Sequence, residues 1–170
     1  TITATSGSLS ETAAVTVKET QAASLNGGDT HTCEVTTAGK AYCWGGNFNG
    51  ELGDSTSTSR SLPTLVSGGH TWASVTTGYR FTCGVTTAGA AYCWGRNYFG
   101  NLGNGTTTAV SASNSTPVLV SGGHTWASIS NGQDHVCGVT TAGVAYCWGS
   151  NDFGELGNDG AMAHRSTPTL

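Results

Sequence analysis

The chain has 170 residues, of which 9% are charged, and its formal net charge is −4 at pH 7. Domains that bind nucleic acid through charge carry clustered Lys and Arg side chains, whereas the six basic residues here are scattered, so we expect no nucleic-acid partner. No apolar run approaches the roughly 18 residues that a membrane-spanning helix needs, so we expect no membrane insertion.

The first segment, residues 1–20, differs in pattern from the rest of the chain. Apolar residues alternate on both sides of a Ser-Gly-Ser turn and end at Val15 and Val17, which is typical of a half-buried β-hairpin. The segment resembles the last two strands of a bacterial Ig-like domain of the group found in adhesins and surface proteins. Because Thr1 is not an initiator methionine, we expect a mature product or a segment of a longer precursor.

One sequence pattern then occurs three times. The copies read CEVTTAGKAYCWGGNFNGELGD, CGVTTAGAAYCWGRNYFGNLGN and CGVTTAGVAYCWGSNDFGELGN, and they begin at Cys33, Cys83 and Cys137. The period is 50 residues (83 minus 33) and then 54 residues (137 minus 83). Such self-similarity predicts an array of small units, none of which buries its apolar face alone.

Each copy predicts a β-hairpin that turns at Thr-Thr-Ala-Gly. If residues 37–39 form the connection, with Gly39 in a left-handed conformation, counting back places Cys33 opposite Cys43. This pair falls on a non-hydrogen-bonded position, where the strands are close enough for a disulfide. The same register in every copy predicts three cross-strand disulfides: Cys33 with Cys43, Cys83 with Cys93, and Cys147 with Cys137.

A metal site and reduced structural thiols are the alternatives for these cysteines. Each hairpin supplies two thiolates at a spacing of ten residues, whereas zinc sites usually pair cysteines two to four residues apart. Disulfides are therefore favoured, and we expect no metal and no cofactor. Each bridge would contribute roughly 2–3 kcal/mol in the chain-entropy treatment. Disulfides persist in oxidising compartments, so the sequence predicts an extracellular or cell-surface location.

Two further strands are predicted around each hairpin. The first strand is expected at residues 23–26, 72–76 and 126–130, and the fourth at residues 62–66, 117–120 and 167–170. Four short strands in a unit of this length are typical of a propeller blade. The sequence therefore predicts an all-β fold, a β-propeller-type array of three four-stranded blades with an incomplete ring. The predicted units are residues 1–20, 21–70, 71–124 and 125–170.

Tryptophans and glycines recur in phase and are expected to have structural roles. The tryptophans are Trp44, Trp94 and Trp148, and the glycines are Gly50, Gly100 and Gly154. Recurrent tyrosines, Tyr92 and Tyr146 among them, could line a sugar site, but the register places these two opposite Gly84 and Gly138, where a ring can cover bare backbone. Trp72 and Trp126 are expected to pack between blades.

The motif WGxNxxGxLG, preceded by a strand, a TTAG turn and a strand, resembles the repeat of the regulator of chromosome condensation family over roughly residues 21–170. The resemblance implies a β-propeller, commonly with seven blades. It says little about function, because relatives include nucleotide-exchange factors, secreted inhibitors of β-lactamases and bacterial surface proteins. The cysteine pairs point to a secreted branch, and three blades are too few to close a ring.

The side chains that could carry chemistry do not form a recurring catalytic pattern. His31 and His135 occupy a position that is Phe81 in the middle copy, which favours packing, and His70 and His124 also match each other. A glycosidase needs two carboxylates across a cleft, but the acidic residues of the first and third loops are not repeated in the second. These are Glu51, Asp54, Asp152, Glu155 and Asp159. The third loop resembles a calcium loop only superficially, because it lacks the alternating ligands.

The loop at residues 105–116 is about four residues longer than its counterpart in the first copy. Insertions in repeat proteins often lie on the binding face, so this loop is a candidate site for a protein or glycan ligand. Asn104 and Asn114 each begin a glycosylation acceptor pattern. The pattern matters only in a host that glycosylates secreted asparagines.

The sequence favours a non-enzymatic extracellular module, structural or adhesive, that self-associates with other copies. An incomplete Ig-like hairpin at one end and an open blade array at the other would leave strand edges and blade faces unpaired. Copies could close a ring together or form a filament by strand complementation. The alternative is a fragment of a secreted seven-bladed binding protein, either an enzyme inhibitor or lectin-like. No catalytic residues are expected.

Overall fold

The computed structural model describes residues 21–107, 113–158 and 162–170. The Ig-like hairpin predicted for residues 1–20 lies outside the described residues. In the described ranges, no helix is long and apolar enough to cross a membrane.

In the described residues, twelve strands form three antiparallel sheets of four strands each, which confirms the predicted all-β array of three four-stranded blades with an incomplete ring. Blade 1 contains β1 Ala22–Gly27, β2 His31–Thr36, β3 Ala41–Gly45 and β4 Arg60–Leu65. Blade 2 contains β5 Trp72–Thr77, β6 Phe81–Thr86, β7 Ala91–Arg96 and β8 Ser113–Leu119. Blade 3 contains β9 Trp126–Asn131, β10 His135–Thr140, β11 Ala145–Gly149 and β12 Arg165–Thr169.

The central hairpin of each blade follows the register predicted from its turn. In blade 1, Gly39 has φ 72°, the N–H of Gly39 donates to the carbonyl of Thr36 (2.8 Å), and the N–H of Thr36 donates to the carbonyl of Lys40 (2.8 Å). Cys33 therefore pairs with Cys43, and their Cα atoms lie 4.1 Å apart. All three predicted disulfides form, between Cys33 and Cys43, Cys83 and Cys93, and Cys137 and Cys147.

The blades stand side by side in an open arc. The inner strands β1, β5 and β9 contact one another in sequence, and β2 and β6 contact the first strand of the next blade. The four strands of each blade run alternately up and down in chain order. The turn after the first strand and the long loop after the third strand therefore lie at the same end of the blade. The Gly-rich loops of the repeat and the inner-strand turns therefore share one end of the array.

The long loop of blade 2 is shorter than the sequence predicted. Strand β8 begins at Ser113, so the last four residues of the predicted loop 105–116 belong to the sheet, where Asn114 pairs with Gly95. The Ser, Asn and Thr residues before Pro117 predicted a loop because they are polar. They form a strand because β8 is an outer edge strand, where one face and one edge meet water.

Most of the buried apolar surface lies between blades and not within one sheet. One cluster joins blade 1 to Trp72, Val75 and Trp94 of blade 2, and the other joins blade 2 to Trp126, Val136 and Trp148 of blade 3. A single sheet could not bury these side chains, because both of its faces would meet solvent. Each blade is therefore stabilised chiefly by its neighbours.

Candidate functional site

The junction between successive blades is built in the same way twice. The indole N–H of Trp94 donates to the carbonyl oxygen of Glu51 in the preceding blade (2.9 Å), and that of Trp148 donates to the carbonyl of Asn101 (2.9 Å). Both rings are fully buried. Each indole thus pairs its polar edge across the junction while its apolar body fills the space between the sheets.

Glycines make room for these indoles. A Cβ on Gly53 would lie 2.7 Å from the Trp94 indole nitrogen, and a Cβ on Gly103 would lie 2.6 Å from that of Trp148. Both glycines also have positive φ, 68° and 64° respectively. Only glycine satisfies both the conformation and the close approach. In the first two blades, the last glycine of the WGxNxxGxLG motif therefore receives the tryptophan of the following blade.

The asparagine of the same motif holds the Gly-rich loop in shape. The side-chain oxygens of Asn47, Asn97 and Asn151 each accept a hydrogen bond (3.0 Å) from the backbone N–H of the leucine five residues later. All three asparagines are almost completely buried. This role was missed from the sequence because an isolated asparagine in a glycine-rich loop is usually read as a solvated turn residue.

A second tryptophan in each junction covers the bare backbone of the central hairpin. The nearest atoms to a Cβ built on Gly84 belong to the Trp72 ring (2.7 Å), and Trp126 occupies the same place over Gly138 (2.7 Å). Tyr92 and Tyr146 pair with these glycines as predicted, but the ring nearest to each glycine is that of the tryptophan. The tryptophan comes from the first strand of the same blade, β5 or β9, and the register of the central hairpin does not place that strand.

His70 and His124 complete these aromatic clusters. The His70 ring lies 4.2 Å from the Tyr92 ring centroid and 5.3 Å from that of Trp72, and His124 repeats the arrangement with Tyr146 and Trp126 at 4.3 and 5.4 Å. Aromatic contacts of this kind add modestly to burial. The geometry gives both histidines a packing role.

His31 lies in a hydrogen-bond network at the junction of blades 1 and 2. Thr82 donates its hydroxyl proton to the carbonyl of Glu51 (2.8 Å), so His31 must donate through Nε2 to the Thr82 hydroxyl (2.8 Å). The Nδ1 atom of His31 is then a buried acceptor without a donor in the described structure. Burial lowers the pKa of His31 to about 4, against a smaller opposing effect of Asp29. The ring is therefore neutral at pH 7.

The carboxylates of the Gly-rich loops serve separate structural purposes and do not form a pair. Glu51 is fully buried and accepts from the N–H of Asn49 (2.6 Å); burial raises its pKa, although backbone hydrogen bonds and the charge of Arg80 oppose the shift. Asp54 forms an ion pair with Arg60 (2.9 Å). Asp152 and Glu155 lie in blade 3, and Asp159 lies outside the described residues.

Blade 2 carries an arginine-centred cluster that its two sister blades lack. The Arg96 guanidinium forms an ion pair with Asp134 of blade 3 (2.8 Å), and burial raises the pKa of Asp134 more than this charge lowers it. Three rings lie 5.3 to 5.6 Å from the guanidinium carbon, those of Tyr79, Tyr98 and Phe99. The same position is Gly46 in blade 1 and Ser150 in blade 3. The three loops are thus more specialised than the repeat pattern indicates.

A shallow cavity of about 540 Å³ lies at the end of the array where the inner-strand turns meet. Its walls are the equivalent turns of the three blades, at Gly27–Asp29, Thr77–Tyr79 and Asn131–Gln133. Among the described residues, no group of three or more His, Cys, Asp or Glu side chains is arranged to hold a metal ion. The cavity offers mainly glycine backbone and amide or hydroxyl groups.

The glycosylation acceptor patterns lie in different settings. Asn104 is in the Gly-rich loop, and its side-chain oxygen accepts from both the N–H (3.2 Å) and the hydroxyl (2.7 Å) of Thr106. Asn114 is half-buried within β8. Both asparagines are half-buried, and they differ in that Asn104 lies in a loop and Asn114 in a strand.

The end blades leave the counterparts of these junction groups open. On the outer face of blade 3, Val139 is 40% exposed, whereas the equivalent Val35 and Val85 are 2% and 3% exposed. On the opposite face of blade 1, Leu25 is 64% exposed, whereas the equivalent Val75 is 6% exposed. These two surfaces, which we call the trailing face of blade 3 and the leading face of blade 1, are the candidate functional site.

The repeat glycines show the same contrast. A Cβ on Gly50 would lie 2.6 Å from the Cα of Ser115 in blade 2, and one on Gly100 would lie 2.6 Å from the Cα of Ser166 in blade 3. Around Gly154 and Gly157 of blade 3, no described atom lies within 4 Å of such a Cβ. Trp44, whose sisters are fully buried, is half-buried, and its indole N–H has no acceptor among the described residues.

Comparison with solved structures identifies the same architecture in larger proteins. Yeast RCC1 (Prp20), in its complex with Kap60, is 20% identical, with a TM-score of 0.76, over 88% of this chain and 36% of that chain. Human WBSCR16 is 19% identical, with a TM-score of 0.79, over 89% and 38% of the two chains. The ectodomain of the receptor kinase CR4 from Physcomitrella patens is 26% identical, with a TM-score of 0.52, over 87% and 35%.

The chain thus spans less than two-fifths of the length of these solved relatives. No curated protein sequence matches it. Two descriptions of the regulator of chromosome condensation (RCC1) repeat match it, one at residues 38–85 and 88–139 and the other at residues 22–51, 72–101 and 126–155. The second set follows the first three strands of each blade. The chain therefore belongs to the regulator of chromosome condensation (RCC1) repeat family.

Proposed function

We propose that the chain is a non-enzymatic extracellular module, structural or adhesive, that self-associates through the open faces of its end blades. The observation that carries this proposal is the contrast between equivalent residues. Val139 is 40% exposed where Val35 and Val85 are almost completely buried. Two blades bury this apolar surface, and the third presents it to water. Covering it with another blade lowers the free energy of the assembly.

Docking of blade on blade is one route to this association. In both internal junctions, the trailing face of one blade receives the leading face of the next, so a contact between chains of the same kind would be heterologous. Such contacts close a ring or continue as a filament, depending on the rotation at each step. Each copy then uses both of its open faces.

Strand complementation is the second route to assembly. The outer strands β4 and β8 present exposed leucines, with Leu62 at 74%, Leu65 at 50% and Leu119 at 57%. Exposed edge strands with apolar side chains invite pairing with another chain. This route would build filaments along the rim of the array and would leave the blade faces open.

The disulfides support the extracellular part of the proposal. All six cysteines of the chain are paired, and such bridges persist where the environment is oxidising. The similar Physcomitrella patens structure is described as a receptor kinase ectodomain. Reduction of the bridges is expected to weaken the hairpins that carry the trailing face.

Self-association is tested by measuring mass against concentration for the oxidised 170-residue chain. Light scattering after size exclusion is expected to show a mass that rises with concentration, and negative-stain microscopy should distinguish rings from filaments. A folded chain that stays strictly monomeric up to millimolar concentration would refute the proposal.

A second candidate is that the chain is part of a larger secreted binding protein, an inhibitor or lectin-like, whose remaining repeats cover the open faces. The coverage of 35% to 38% of the solved relatives favours this candidate, and one relative is described in complex with a protein, Kap60. Mass spectrometry of native material would decide it. A parent chain with about seven repeats supports this candidate, and a secreted chain that ends near residue 170 contradicts it. A glycan array or pull-down that compares the chain with a variant lacking residues 106–112, which leaves β8 intact, would test whether the ligand binds at this loop.

A further inference from the structure

We infer that blade 1 of a second copy docks on the trailing face of blade 3, with Trp44 of the incoming copy donating its indole N–H to the carbonyl oxygen of Glu155. This inference rests on the proposed self-association and specifies its surfaces. The occupant is a second copy because the described blades themselves carry both halves of the junction, a leading face on blade 1 and a trailing face on blade 3.

The two internal junctions supply the template for this contact. Their acceptors are the carbonyl oxygens of Glu51 and Asn101, each 2.9 Å from the indole nitrogen of the next blade. Counting along the repeat, the third acceptor is Glu155, which lies four residues after Asn151 exactly as Glu51 follows Asn47. The first donor in the same series is Trp44. Among the described residues, neither the Trp44 indole N–H nor the Glu155 carbonyl oxygen has a partner of this kind. Docking therefore pairs the two.

The trailing face of blade 3 is already shaped to receive an indole. Gly157 has φ 68°, the same conformation as Gly53, which receives Trp94. The side-chain oxygen of Asn151 accepts from the N–H of Leu156 (3.0 Å), so the loop is held in the form that it has in the occupied junctions. A site that needs no rearrangement loses little conformational entropy on binding.

The loop charge at this face does not prevent docking. Burial raises the pKa of Glu155, but the backbone hydrogen bonds from Glu155 and Phe153 and the nearby His135 and His164 together lower it below its usual value, so the side chain is ionised. In the internal junction, Glu51 occupies the same position and is fully buried. The acceptor that docking uses is the backbone carbonyl, which is present whatever the state of the carboxyl group.

The leading face of blade 1 differs from the template at two positions. Leu25 stands where blade 2 has Val75, and Trp44 stands where it has Trp94, but Ala22 replaces Trp72 and Glu34 replaces Gly84. In blade 2, the Trp72 ring covers Gly84 of the same sheet and belongs to the cluster shared with blade 1. A docked second copy would therefore lack this ring and would bring the carboxyl group of Glu34 to the contact. The contact should be weaker than the internal junctions, which is the behaviour of a reversible assembly.

This difference gives a gain-of-function test. The double variant Ala22→Trp/Glu34→Gly restores the ring together with the glycine that it covers, since a Cβ at the equivalent Gly84 would lie 2.7 Å from the Trp72 ring. It should tighten association at least tenfold, because a buried tryptophan contributes a large apolar surface. The variant Trp44→Phe keeps an aromatic ring and removes the N–H donor. It should weaken association about fivefold, the factor that one net hydrogen bond confers.

A matched pair of substitutions tests the trailing face. The variant Val139→Arg places a charge at a position that is buried in both internal junctions, and it should abolish association. The variant Val144→Arg is the control: Val144 is similarly exposed (37%), it lies in the same hairpin, and blade 1 has Lys40 at the equivalent position. Folding of each variant is checked by near-ultraviolet circular dichroism.

The experiment is sedimentation velocity on the oxidised wild-type chain and the four variants over a concentration series. We expect association in the order Ala22→Trp/Glu34→Gly, wild type and Val144→Arg together, Trp44→Phe, and none for Val139→Arg. If the wild type associates but Val139→Arg and Trp44→Phe associate equally well, this inference is wrong while self-association stands. If only Ala22→Trp/Glu34→Gly associates and Val139→Arg in that background abolishes it, the faces are correct and self-association of the natural chain fails. If no variant associates, both fail.

Discussion

Replacing His31 with phenylalanine should remove a defined part of the pH dependence of folding. His31 is 3% exposed, and burial lowers its pKa to about 4 from 6.5. Below pH 6.5 the unfolded chain binds a proton at this histidine and the folded chain does not, so stability falls as the pH falls towards 4. From pH 7.5 to 4.5 the loss from this residue alone is about 2–3 kcal/mol.

The variant His31→Phe is chosen because the equivalent residue of blade 2 is Phe81, which is fully buried. Urea unfolding at several pH values, followed by tryptophan fluorescence with the disulfides intact, measures the free energy of unfolding. The difference in unfolding free energy between wild type and variant at each pH separates the effect of His31 from that of the carboxylates. Among these, Glu51 has a raised pKa, so it stabilises the folded chain as the pH falls. His135→Phe, at the partly exposed sister position, is the control and should retain the slope. The reasoning is refuted if His31→Phe shows the wild-type loss between pH 7.5 and 4.5.

Three further outcomes are expected. Ser55 has φ 68° and is the counterpart of Gly105 (φ 83°), so Ser55→Gly should raise the free energy of unfolding by about 0.5–1 kcal/mol; a lower value in urea unfolding would contradict the strain argument. Trp94→Phe removes the hydrogen bond to Glu51 and leaves a cavity, and calorimetry should show a loss of about 2–3 kcal/mol, whereas Trp44→Phe should leave the monomer's stability nearly unchanged. Reduction of the three disulfides should cost about 6–9 kcal/mol in total, comparable with a whole domain's stability, so the reduced chain should lose its near-ultraviolet circular dichroism at 37 °C.

The sequence by itself determined the local structure of each blade. A Thr-Thr-Ala-Gly turn allows few conformations, and once Gly39 takes φ 72° the register of the hairpin follows, because side chains alternate with a fixed period of two. The pairing of Cys33 with Cys43 is a direct consequence of that register. The number of blades also followed from the sequence, because each repeat is one unit.

Only the tertiary structure decided what lies between the blades. The hairpin register correctly paired Tyr92 with Gly84, but it could not show that Trp72 covers that glycine, because Trp72 comes from β5, whose register against β6 the hairpin turn does not set. The cluster at Arg96 and the buried state of Glu51 depend instead on which loop a neighbouring blade presents. Identical motifs therefore acquire different environments, and Trp44 differs from Trp94 only because no described blade precedes it.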